Sequence, residues 1–147
     1  MTAIDTNILI AAIVPGHEDH LAAVKWLGGL SRRDDIVLSE FVLVELYGLL
    51  GNPAVLSKPL GPDKAAALCQ TFRQHPRWRL FGFPPDSAAL HNGMWIEAAR
   101  SRAARRRIYD VRLALSLVQQ GVSDFATANV KHFDGMGFQR VWNPLDV

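Results

Sequence analysis

The chain has 147 residues, 49% of them hydrophobic, which suits one globular domain over residues 1–147 with a core of its own. A formal net charge of +2 with a pI of about 9.0 mildly favours an anionic partner. Cys69 is the single cysteine, excluding internal disulfides and thiolate zinc clusters, and no apolar run nears the roughly 18 residues of a membrane span, so a soluble, cytoplasmic protein is expected.

Thr2-Ala3-Ile4 reads as a short apolar strand, then Asp5-Thr6-Asn7 as a polar turn, then Ile8 to Val14 as a helix. His17 to Leu30 repeats Leu21, Val24 and Leu27 at helical spacing and stops at Gly28-Gly29. Ile36-Val37-Leu38 is a buried-strand pattern, and Ser39 is placed to cap the helix from Phe41 to Leu50, whose stripe is Val42, Leu46 and Leu49. Leu60 to His75 forms the next helix, with Pro62 near its start and Pro76 beyond its end. Trp78 to Phe83 is a third strand, and a long helix runs from about Asp86 to Ala104. Tyr109 to Gln120 is helical until Gly121, with short strands around Phe125-Ala126 and Arg140-Val141-Trp142. Alternating strands and helices imply parallel pairing with helices on both faces, an α/β fold.

Three carboxylates stand out against this pattern. Asp5 lies where the first strand stops, at the carboxyl edge where an open parallel sheet gathers ligands, although a turn or helix-capping role fits the same position. Glu45 shares a stripe with Val42 and Leu49, which aims a carboxylate at the core, where it must be protonated, paired with a base or bound to a cation, although a Glu snorkelling at the stripe's edge fits the same spacing. Asp110 opens a helix, as a cap or as a ligand. All three belong at one sheet edge, where mutual repulsion raises their pKa values and divalent cations relieve it. Magnesium or manganese prefers such oxygen donors, and two ions about 4 Å apart activate water and stabilise the departing oxygen of a phosphodiester.

Asp5-Thr6-Asn7, Ser39 with Glu45, Asp110 before an Ala/Leu-rich helix, Gly121, the run Thr127 to Phe133 and the closing Val141-Trp142-Asn143-Pro144-Leu145 together resemble the PIN domain, especially VapC-type toxins, over nearly the whole chain. The resemblance implies a three-layer α/β/α fold around a mostly parallel four- to five-stranded sheet. It also implies a magnesium- or manganese-dependent endoribonuclease, a homodimer and a cognate antitoxin protein, with RNA cut to 5′-phosphate and 3′-hydroxyl ends. Asp5, Glu45 and Asp110 match the family's acidic ligands, and Asn129 falls where many members carry an aspartate. The acid often found before the late phenylalanine is His132 here, with Asp134 after Phe133, so Asn129, Asp124 and Asp134 compete as fourth ligand. Asn129 is preferred because an amide oxygen coordinates a hard cation, whereas Asp124 precedes its strand and belongs to the opposite edge. Thr6, Asn7, Ser39 and Thr127 are the candidate supports around the ligands, and helix capping is the competing role for Thr6, Asn7 and Ser39.

Arg100, Arg102, Arg105, Arg106 and Arg107 crowd the segment before Asp110, and Arg112 follows it; Arg105, Arg106, Arg107 and Arg112 are candidates for RNA phosphates. A charge run also suits a plain solvated helix face. His17 and His20 have the spacing of a zinc pair but no third soft ligand, and the four tryptophans read as core or interface residues. The main rival is a catalytically degenerate PIN domain acting as a binding module, which Asn129 keeps open. A phosphoacceptor receiver domain lacks its acidic pair and late lysine here.

Overall fold

The computed structural model describes residues 1–100, 105 and 107–146. Its elements in chain order are β1 (Thr2–Ile4), α1 (Thr6–Ile13), α2 (His20–Leu30), β2 (Ile36–Ser39), α3 (Glu40–Leu50), α4 (Pro62–Arg73), β3 (Arg79–Phe81), α5 (Ser87–Arg100), α6 (Arg107–Gln119), β4 (Asp124–Ala126), α7 (Val130–Phe133) and β5 (Arg140–Trp142). The strands form one sheet in the order β3-β2-β1-β4-β5, every pairing parallel, with Ala3 opposite Val37 on one side and Phe125 on the other. This is the α/β layering expected from the alternation of elements, with helices covering a wholly parallel sheet.

Burial explains the short strands. All residues of β1 and β2 are buried, so these strands read as continuous apolar runs with no alternation. Ile4, Ile8, Leu9, Val37, Leu38, Leu46, Leu117 and Phe125 are at most 1% exposed and form the centre of the core. Phe125 packs edge-on to Phe133 at 4.6 Å and stacks with Phe138 at 5.1 Å between ring centres, geometries that aromatic rings favour. Gly121 takes a φ of +85° beyond the end of α6, a conformation open to glycine at no steric cost.

Several boundaries differ from the sequence reading. Asp5 directly caps α1, so the helix starts at Thr6, inside the expected turn. Residues 17–19 lie outside α2, and that helix passes through Gly28-Gly29 to Leu30. Leu21 is 81% and Val24 47% exposed, because Ala23 and Leu30 face the core instead. Asp110 does not open its helix: α6 begins at Arg107, leaving Asp110 in the first turn. The short α7 has too few residues to show a period. The expected end of α5 near Ala104, and with it Arg102 and Arg106, lies outside the described residues. Among the described residues no helix is long and apolar enough to cross a membrane.

Candidate active site

In this strand order β1 lies between β2 and β4, so the chain leaves β1 in one direction and returns on its other side. Such a reversal opens a crevice at the carboxyl ends of the strands. Asp5 follows β1 and Thr127 follows β4, which puts both in that crevice. The middle of α3 and the first turn of α6 bring Glu45 and Asp110 to the same edge, and Asn129 stands at the start of α7. Asp5, Glu45, Asp110 and Asn129 line a common hollow of about 190 Å³.

Asp5 is 6% exposed and fully engaged. Its Oδ1 accepts the Thr6 backbone N–H at 2.8 Å, and its Oδ2 accepts the Thr127 hydroxyl at 2.6 Å and the Asn7 amide at 3.0 Å. Thr127 Oγ1 in turn accepts from Asn7 Nδ2 at 3.1 Å and from the Asn129 backbone N–H at 3.0 Å, and Asn7 Oδ1 accepts the Ala128 N–H at 3.1 Å. One hydroxyl thereby locks the end of β4 to the end of β1. One Asp5 oxygen thus serves the cap of α1, and the other takes the bonds from Thr127 and Asn7.

Of the two readings of Glu45, the structure takes the one at the stripe's edge. Val42 and Leu46 are buried, but Glu45 itself is exposed, and only its carboxyl end is drawn into the hollow by the Thr6 hydroxyl, which donates to Oε2 at 3.1 Å. The residue sits at the edge of the apolar stripe, not within it. Asp110 is half-buried and faces His132, whose Nδ1 lies 3.4 Å from Oδ2 and forms an ion pair when the imidazole is protonated.

These surroundings disfavour negative charge. Burial, opposed by the bonds from Thr127 and Thr6 and reinforced by the charges of Glu45 and Asp110, pushes the Asp5 carboxyl from 3.8 to about 6. Burial is also the chief cause that raises Glu45, with Asp110 adding to it, and that raises Asp110, with His132 and Arg107 acting against it. The three acids therefore repel one another across the hollow. Among the described residues no three His, Cys, Asp or Glu side chains already form a cage around one point, so a cation here would keep water or take substrate oxygens as further ligands. A set of hard oxygen donors, crowded with negative charge, fits a hard divalent cation far better than a soft metal.

The remaining candidates separate cleanly. Asn129 occupies the N-cap position of α7 yet makes no capping bond with its side chain. Asp134 ends α7 on the surface, and Asp124 opens β4 beside Thr2 and Arg140, at the far edge from Thr127; neither lines the hollow. Ser39 is buried and its Oγ accepts the Phe41 N–H at 3.1 Å, which makes it the cap of α3. Ser39→Ala should cost about 1 kcal/mol in chemical denaturation without changing catalysis; a catalytic defect with unchanged stability would reverse that assignment. Arg107 and Arg112 line a larger cavity beside the hollow, Arg105 is exposed, and Arg106 is not among the described residues.

Two histidines were not legible as site residues. His17 lines the hollow although its Nδ1 is occupied by the Asp19 N–H at 3.1 Å, while His20 Nδ1 contacts the Ala11 carbonyl oxygen at 3.0 Å, so the two serve backbone groups and not a shared zinc. His132 meets Asp110 across two helices, a contact no local spacing reveals.

Comparison with known proteins bears on this arrangement. The family model described as PIN domain matches residues 2–120. Ribonuclease VapC24 of Mycobacterium tuberculosis is 46% identical over 145 residues, covering 99% of this chain and 97% of that protein. The chain belongs to the PIN-domain family. Among solved structures this PIN domain resembles the Mycobacterium tuberculosis toxin VapC20, with a TM-score of 0.68 at 19% identity over 94% of this chain and 96% of that one. It also resembles FitAcB from Neisseria gonorrhoeae, with a TM-score of 0.67 at 23% identity over the whole of both chains. At that identity the likeness concerns the fold. Within this PIN domain, His132 stands beside Asp110.

Proposed function

We propose that the chain is a divalent-metal-dependent endoribonuclease of the VapC type, the toxin of a toxin–antitoxin pair. The observation that carries the reading is the crevice itself. Asp5, anchored on three sides and pushed to about 6, faces Glu45 and Asp110 in one hollow that needs positive charge to be tolerable. VapC24, at 46% identity over nearly the full length, is named a ribonuclease. VapC20 is described as a toxin cleaving the sarcin-ricin loop, and VapBC2 from Rickettsia felis was solved bound to a DNA fragment from its promoter.

In this reading Asp5, Glu45, Asp110 and Asn129 hold magnesium or manganese. When bound, such ions polarise the phosphodiester, help to deprotonate water and stabilise the leaving oxygen. The chain's own contribution is position. Thr127, Thr6 and Asn7 fix the Asp5 oxygens, Thr6 also orients Glu45, and His132 restrains Asp110. Arg107 and Arg112 stand next to the acids to take phosphate oxygens, offsetting the repulsion between an acidic site and an anionic strand. Water then displaces the 3′ oxygen at phosphorus, leaving a 5′-phosphate and a 3′-hydroxyl. A cognate antitoxin protein restrains the enzyme.

The decisive experiment is RNA cleavage by metal-stripped protein, with magnesium or manganese added back and the ends mapped. Cutting restored by the ion with 5′-phosphate ends supports the reading; RNA left intact under all ions points to the binding module that Asn129, in place of a fourth carboxylate, would favour. Thr127→Val isolates the support shell. It removes the 2.6 Å bond to Asp5 and should weaken metal affinity or turnover about 10–100-fold. Unchanged metal titrations would show that Thr127 only packs.

A further inference from the structure

A cavity of about 650 Å³ opens beside the acidic hollow and shares Glu45, Asp110 and Asn129 with it. Its other wall has a different chemistry. Tyr109, immediately before Asp110, is 65% exposed, an aromatic face that folding leaves in solvent. The Arg112 guanidinium lies 4.5 Å from the centre of the Phe41 ring and 5.8 Å from that of Tyr109, so two rings and a planar cation form one layered surface. Phe83, 56% exposed, extends it at 4.8 Å from Phe41. Among the described residues, Arg112 Nε is the one buried side-chain polar atom without a hydrogen-bond partner.

We propose that this cavity is a nucleobase site: it receives one unstacked base of a single-stranded RNA, the base next to the phosphate held by the acids, with Tyr109 as the stacking face. The proposal rests on the nuclease reading and adds to it the form of the substrate. Three features favour a base over other occupants. A phosphate needs arginines but no aromatic face, whereas an unpaired base stacks on both tyrosine rings and guanidinium planes. The Arg112 guanidinium, held against the Phe41 and Tyr109 rings and lining the cavity, adds a planar cation beside the tyrosine face. The shared lining places the base site one step from the phosphate site, and Tyr109 and Asp110 are adjacent in the chain, so the two contacts belong to one nucleotide step. A base inside a duplex presents no free face, so the site selects unpaired strands. The cavity also lies within the usual volume range of small-ligand sites, roughly 300–1,000 Å³.

The one local sign of this surface is Tyr109 and Arg112, three residues apart on α6, whereas Phe41 lies on α3 and its approach to Arg112 has no local signature. The tryptophans, where stacking is ordinarily sought, serve elsewhere: Trp78 donates to the Leu30 carbonyl oxygen at 3.1 Å, and Trp26 packs edge-on to Trp142 at 6.3 Å.

The test measures binding of a labelled, short, mixed-sequence single-stranded RNA and of the same strand with abasic riboses. Fluorescence anisotropy in EDTA at low salt is the readout, for wild type, Tyr109→Phe and Tyr109→Ala. Tyr109→Ala should lose about tenfold in affinity for the RNA, Tyr109→Phe should stay near wild type, and all three should bind the abasic strand alike. Because Tyr109 is exposed, the variants fold as wild type does, which thermal unfolding checks. Equal RNA affinity for wild type and Tyr109→Ala overturns the proposal and leaves the cavity to a protein segment. An equal loss on the abasic strand overturns it in favour of a contact with the backbone. Cutting by wild type in magnesium without any Tyr109 effect removes the base site alone; a Tyr109 effect without cutting under any divalent ion removes the nuclease reading alone.

Discussion

Asp5→Asn should lower RNA cleavage by about a thousandfold at saturating magnesium, the scale on which a single preorganised charged group contributes to a polar transition state. The substitution keeps the shape of the side chain and one oxygen that can accept the Thr6 N–H, so the cap of α1 survives. It removes the charge and the second oxygen on which Thr127 and Asn7 converge. Asp110→Asn should follow closely, since Asp110 faces the same hollow but is less deeply buried. Glu45→Gln should cost less than either, because Glu45 is exposed and held by one hydroxyl. The ordering is what the proposed roles require. A variant at position 5 that cuts RNA at the wild-type rate would remove Asp5 from the chemistry, whatever the other two acids did.

How these residues come together was only partly legible in the sequence. Asp5 could be placed without coordinates because a polar turn directly after a short apolar strand has one position in a parallel sheet, its carboxyl edge. Thr127 came only with the family resemblance, and the alternation of elements carried the fold class. Glu45 shows where periodicity stops helping. A three- and four-residue spacing from buried neighbours puts a side chain on the correct side of a helix, but it cannot distinguish the floor of a core from its rim, and the structure places Glu45 at the rim. Leu21 and Val24 fail for the same reason, since α2 turns its small Ala23 inward and leaves both larger residues outside. The contacts of His132 with Asp110 and of Phe41 with Arg112 join elements remote in sequence and carry no local signature, whereas Tyr109 and Arg112 are three apart on α6. Local pattern thus locates a strand end well and a cross-helix contact poorly, because the first depends on the chain's own geometry and the second on how separate helices cross.

The strain placed on Asp5 makes a second large effect measurable without any RNA. In the unfolded chain its carboxyl ionises near 3.8, whereas in the folded protein burial holds the proton until about 6. Between these values the folded state binds more protons than the unfolded state, so metal-free protein should lose stability as pH rises through this window. A difference of that size corresponds to about 3 kcal/mol, fully present below the unfolded value and gone once pH passes the folded one. Glu45 and Asp110 are raised as well and steepen the fall, while His75, lowered by burial, acts in the opposite sense near its ordinary 6.5. Comparison with Asp5→Asn in EDTA separates the contribution of Asp5. Wild type should lose about 2 kcal/mol more than the variant between pH 4 and pH 7 in urea unfolding, because at pH 4 the unfolded carboxyl is already partly ionised. Magnesium at about a hundred times its dissociation constant should then restore about 2.7 kcal/mol at pH 7 in wild type, and far less in the variant. The sign matters more than the size. A carboxylate kept for stability alone would be paired with a cation from the chain and would gain as pH rose; one kept for a divalent ion must burden the empty fold and be relieved on binding. Parallel pH profiles for the two proteins, with no stabilisation by the ion, would mean that Asp5 is merely the cap of α1.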